Sequence, residues 1–204
     1  TVDKGRIAAA VREILDAIGD DPTRPGLDVT PERVADSFAE FFAGVGVDAA
    51  VGLRDAGSTA DVESTDPVIV RDIEFRSMCE HHLLPFSGVA HVAYVPTSTV
   101  LGLGHVARVV DVVSSRPQVQ ERLGLDVADA ITRGADAAGV LVVLDARHEC
   151  VSARGARQNN ASAVTVSATG ACAVDPLKTS LIALIGRGDV SQPLIFGILN
   201  VTPD

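Results

Sequence analysis

Cys79-Glu80-His81-His82 sets a thiol and two imidazoles within one short stretch of chain, and a second thiol, Cys150, stands far downstream. A loop that carries Cys and His three positions apart can turn both onto one ion. The run GVLVVLDARHECVSAR (139–154) is rich in β-branched residues and predicts a strand. Alternate side chains of a strand share a face, so His148, Cys150, Ser152 and Arg154 are expected to point the same way. Cys79, His82 and Cys150 would then form a Cys2His set. Its open fourth position suits a catalytic zinc, because a structural zinc normally takes four protein ligands. A water there has its pKa lowered toward about 7. His81 and His148 remain free to move protons beside it. Spacing alone equally allows Cys79 and Cys150 to be ordinary buried thiols. Cys172 has no His or acid near it and predicts a small buried residue, while His91 on a strand and His105 on a helix are expected not to be ligands.

Several elements must position these groups. Ile7, Val11, Ile14, Leu15 and Ile18 recur at helical spacing over residues 3–19. Thr30 as N-cap and Pro31 at the first helical position predict a second helix to Gly44. Residues 45–66 have no clear period and predict a loop. VIVRDIEF and VAHVAYV predict strands on either side of SMCEHHLLPFSG. Residues 103–115 and 117–138 predict two helices divided at Pro117, followed by strands over 139–154 and 161–170 and a helix over 175–185. The order strand, strand, helix, helix, strand, strand predicts an α+β domain, an antiparallel four-stranded sheet with its helices on one face. Its two open edges would favour oligomerisation. Residues 1–66 are thus expected to form an N-terminal helical region, 67–186 a catalytic domain, and 187–204 a linker with the start of something further.

Of the 204 residues, 47% are hydrophobic, enough for a filled core. A net charge of -10 argues against a nucleic-acid surface, which needs clustered Lys and Arg. An anionic ligand must meet a local basic pocket. Three scattered cysteines and no secretory pattern at the start suit a reducing, cytoplasmic setting. No apolar run is long enough for a membrane helix.

AIGDDPTRPGL, TPERVA, CEHH, VAYVP, RPQVQERL and HECVSARG, in this order over residues 7–185, resemble GTP cyclohydrolase I. The resemblance implies the tunnelling fold and zinc held by Cys79, His82 and Cys150. It further implies opening of GTP at C8 of the purine, with loss of formate, to give 7,8-dihydroneopterin triphosphate. His81 matches the histidine that serves purine N7, and His148 the one near the ribose oxygen. Gln120 and Glu121 match the guanine-binding pair; a carboxylate can accept from the N1 and N2 hydrogens of guanine. Arg108 and Arg154 match cations that hold the triphosphate. The family's decamer of two pentameric rings shares its sites between subunits, so Arg108 and Glu121 are expected to serve a neighbour's zinc.

Two features depart from that pattern. Ser-Lys-x-Asn-Arg is replaced by Gly104-His105-Val106-Ala107-Arg108, and lysines seen in other members are Val89 and Ser152 here. Fewer cations should weaken triphosphate binding, with protonated His105 compensating in part. At the other end, PLIFGILNVTPD (193–204) resembles the opening of dihydropteroate synthase, which implies a fused folate-pathway protein; a C-terminal strand is the alternative. The other functions compatible with the sequence are ring opening of a different purine nucleotide and a weakly active oligomerisation module.

Overall fold

The computed structural model describes residues 2–54, 66–98 and 100–186. Helix α1 (Lys4–Ala17) begins at Asp3, whose carboxylate accepts from the Arg6 amide at 3.0 Å. It packs on α2 (Thr30–Phe41) through Ala8, Val11 and Leu15. Ile14 and Ile18, counted into the apolar stripe, are instead exposed. Thr30 is the first helical residue of α2 rather than its cap, and its hydroxyl reaches back to the Gly26 carbonyl. Within the expected loop, Val51–Arg54 forms one helical turn, α3.

Strands β1 (Val68–Cys79) and β2 (Pro85–Val95) form an antiparallel pair on either side of the Cys-Glu-His-His turn. Next come α4 (Leu103–Ser114), the two-residue strand β3 (Pro117–Gln118), α5 (Gln120–Ala135) and β4 (Gly139–His148). The turn α6 (Glu149–Ser152), strand β5 (Ala163–Gly170), a 3-10 turn at Ala171–Ala173 and α7 (Leu177–Ile185) complete the described chain. The sheet order is β3-β1-β2-β4-β5.

The fold is α+β, with four corrections to the expected layout. The sheet has five strands and is mixed, because β3 pairs parallel to the end of β1, Met78 with Pro117 and Cys79 with Gln118. Pro117 does not start the next helix, since α5 begins only at Gln120. Helices also cover both faces. Val140, Val142 and Leu144 of β4 belong to the main core with α4 and α5, while Leu141 and Val143 pack with Ala93, Cys172, Leu181 and Ile185 beneath α7. The fourth correction, the end of β4 at His148, bears on the site. Residues 187–204, including the expected linker and the segment resembling a synthase, lie outside the described residues.

Tyr94, fully buried, fastens the entry to α4: its hydroxyl accepts from the Leu101 amide at 2.7 Å. His91 is a structural residue, as expected, its Nδ1 accepting from the Asp72 amide at the β1 bulge. Between β2 and β4 the backbones meet at Gly88, where a Cβ would stand 1.9 Å from the Asp145 carbonyl oxygen. Because only backbone could yield there, Gly88→Ala is expected to cost about 3 kcal/mol. A denaturant midpoint equal to that of the unmodified chain would rule this out.

Candidate metal centre and active site

β1 delivers Cys79 to the rim of the sheet, and the chain reverses within a few residues to re-enter at Pro85. Leu83 closes the turn by donating its amide to the Cys79 carbonyl at 2.8 Å, and the Cys79 amide donates to the Leu84 carbonyl at 2.9 Å. Leu83 sits at φ 50°, a left-handed conformation that an L side chain adopts at a cost of about 1 kcal/mol. The tight reversal brings His82 Nδ1 to 3.9 Å from Cys79 Sγ.

Cys150 arrives by a different route from the one its sequence suggests. β4 stops at His148, and Cys150 lies on the helical turn α6, so strand alternation does not align it with His148, Ser152 and Arg154. Local bonding favours the turn: the Ser152 hydroxyl lies between the His148 carbonyl at 3.2 Å and the Glu149 carboxylate at 3.0 Å. The outcome at the site is nonetheless the expected one. The ligand atoms of Cys79, His82 and Cys150 lie within 4.8 Å of one another.

This set fits a metal ion. All three cysteines are free, and burial pushes the Cys150 thiol above the ordinary range, with the nearby Cys79 adding to the rise. Two sulfurs side by side favour their thiolate forms only when a cation lies between them. Sulfur, sulfur and imidazole is a soft to borderline donor set of the kind that binds zinc. His81, although 3.9 Å from Cys79 through Nδ1, has a largely exposed ring and stands outside this group.

His148 stacks on Phe86, ring centroids 4.6 Å apart and planes within 4°. Burial pushes it below the ordinary histidine range, partly offset by the Glu121 carboxylate. Its Nε2 lies 2.8 Å from Gln120 Oε1. Gln120 is 2% exposed, and its Nε2 faces the Leu144 carbonyl at 3.1 Å, the Ala163 carbonyl at 2.8 Å and Thr165 Oγ1 at 3.2 Å. Two carbonyls can only accept, so the amide NH2 must face them and its oxygen must face His148. Nε2 of His148 is therefore the protonated nitrogen and Nδ1 the acceptor. Gln120, expected beside guanine, has its side chain committed behind His148. Glu121 is exposed in the first turn of α5, and its charge is felt by His148 of the same chain.

The two expected phosphate ligands, Arg108 and Arg154, lie in different places. Arg108 and His105 line a cavity of about 260 Å³ with Asp48, Val51, Leu53 and Val109, which none of the metal-ligand residues line. Within it, His105 Nδ1 is buried without a hydrogen-bond partner. Arg154 is exposed on the segment after α6, and its charge reaches Cys150. Sequence reasoning missed Phe86 and a group of three, Glu80, Gln118 and Arg122. Arg122 bonds Glu80 and donates from Nε to Gln118 Oε1 at 3.2 Å. Gln118 and Arg122 lie within RPQVQERL and Glu80 within CEHH, whereas Phe86 carries no polar signal in the sequence.

A family model for GTP cyclohydrolase I matches residues 7–185. The chain is 56% identical over 188 residues to GTP cyclohydrolase 1 of Leifsonia xyli, covering 91% of this chain and 97% of that protein. It is 48% identical to GTP cyclohydrolase 1 of Rhodopirellula baltica, covering 91% of this chain and 80% of that protein. To the protein of that name from Clostridium perfringens it is 45% identical, covering 83% of this chain and 90% of that protein. The chain belongs to the GTP cyclohydrolase I family.

Proposed function

We propose that this chain is a zinc-dependent GTP cyclohydrolase, converting GTP and water to 7,8-dihydroneopterin triphosphate and formate. The observation that carries the reading is the convergence of Cys79, His82 and Cys150 in a member of this family. When bound, zinc supplies Lewis-acid activation of a water for attack on the purine. The chain's own residues supply the rest. Glu121 accepts from the N1 and N2 hydrogens of guanine and fixes the ring. His148, neutral through burial and with Nε2–H directed at Gln120, offers Nδ1 to take and return a proton near the ribose. His81, open to solvent next to the metal ligands, serves N7. Arg154 holds phosphate from the same chain.

The separation of Arg108 from the metal group favours its use at a neighbour's site in a homodecamer of the tunnelling fold. The outer strand β5 is consistent with such assembly, since Val164 and Val166 on it are exposed. The remaining elements of the reading are a cytoplasmic setting and a following dihydropteroate synthase domain introduced by residues 193–204. Among the described residues no helix is long and apolar enough to cross a membrane.

Purified protein of known zinc content should be offered GTP, GMP and guanosine while formate release and pterin absorbance are followed. Formate and pterin are expected in equal amounts from GTP. Bound zinc without turnover of any purine would instead identify an oligomerisation module.

A further inference from the structure

We infer that Arg122 is a positioning residue for the metal loop: it holds Glu80, and with it the turn carrying Cys79 and His82, against the start of α5. The inference rests on the zinc reading above. Glu80 stands between metal ligands without belonging to the converging group, and both its backbone and its side chain are tied down. Its amide donates to the Gln118 carbonyl at 3.0 Å, continuing the parallel pairing of Cys79 with Gln118. Its carboxylate bonds Arg122.

Gln118 is what makes this pair more than an exposed ion pair, which alone contributes little. At 2% exposure its side chain has a single place to go. Its Nε2 donates to the Val113 carbonyl at 3.3 Å and to Asp126 Oδ2 at 3.0 Å. That leaves Oε1 for Arg122 Nε, at 3.2 Å. The guanidinium thus meets a fixed acceptor on one edge and the loop's only carboxylate on the other. The end of α4, strand β3 and the first turns of α5 become one seat for the loop.

Partners that orient metal ligands directly typically contribute about 10–100-fold in affinity. Arg122 acts one residue removed, so Arg122→Gln and Glu80→Gln are each expected to weaken zinc binding by about 3–10-fold. The measurement is competition with a chromophoric chelator on the full chain, together with the visible spectrum of the cobalt-substituted protein. Because the two groups act through one contact, the double variant should bind zinc no more weakly than either single one. Arg122→Lys, which keeps the charge but not the fork, should recover part of the loss. Arg133→Gln provides the comparison on the same helix, since Arg133 pairs with Asp129 and Asp48 and has no contact with the loop. It should leave zinc affinity unchanged.

Zinc binding by Arg122→Gln equal to that of the unmodified chain would overturn the inference and leave the metal site standing. So would single losses that multiply in the double variant, or an equal loss in Arg133→Gln. Failure of the unmodified chain to bind zinc in the same assay would overturn the metal reading itself.

Discussion

Cys150→Ser is expected to purify folded, to retain little zinc after dialysis, and to release formate from GTP at least about 10³-fold more slowly than the unmodified chain. Cys150 is only partly buried, on a short turn at the rim of the sheet, and serine is nearly isosteric with it. The fold should therefore survive. What the exchange removes is the thiolate, the stronger of the two donors for a borderline metal, and the remaining Cys79 and His82 make a two-ligand site. Loss of about 4 kcal/mol of transition-state stabilisation corresponds to the 10³-fold decrease. Cys172→Ser gives the contrast: Cys172 lies fully buried against Leu141 and Leu181, so this change should lower stability and leave zinc content intact. If Cys150→Ser keeps both its zinc and its rate, Cys150 is not a ligand.

Cys150 also illustrates how the sequence could place a residue in the converging group by an incorrect route. Residues 139–154 alternate well enough to suggest one continuous strand, and that reading put Cys150 and His148 on one face. The strand ends at His148 because Ser152 and Glu149 bond locally into a turn, a competition between side chain and ladder that hydrophobic alternation does not register. The metal group converges anyway, through the reversal at Leu83 on one side and α6 on the other. β3 was invisible for a related reason. Two residues have no period, and Pro117 carries a strong signal for a helix start, while the pairing that makes Pro117–Gln118 a strand is with Met78–Cys79, far back in the chain. Long elements were legible because their patterns are local: α1, α2, α4, α5 and the four long strands all stand near their expected places. The covering of the second face by α7 was not, since both faces of β4 are apolar and a continuous apolar run does not say what covers each side.

Gln120 and Glu121 are adjacent in sequence and were expected to act as a pair on guanine, yet the structure separates their surroundings, and kinetics should separate their roles. Glu121 is exposed, with no burial to keep it from a ligand. Removing a carboxylate that accepts two hydrogens from a bound base leaves those donors unpaired, so Glu121→Ala is expected to lower kcat/KM for GTP by about 10²–10³-fold. Gln120 is different: its amide is fully engaged with Leu144, Ala163, Thr165 and His148. Gln120→Leu frees the His148 ring to turn or change tautomer, at a cost of about 1–3 kcal/mol for each group left unpaired. The expected result is a lower denaturant midpoint and a kcat reduced by about 10–100-fold, with KM for GTP nearly unchanged. A rise in KM without loss of kcat would return Gln120 to the guanine pocket. The split is informative because either residue, lost, would slow the enzyme. Only a residue that acts through His148 should do so while leaving substrate binding alone.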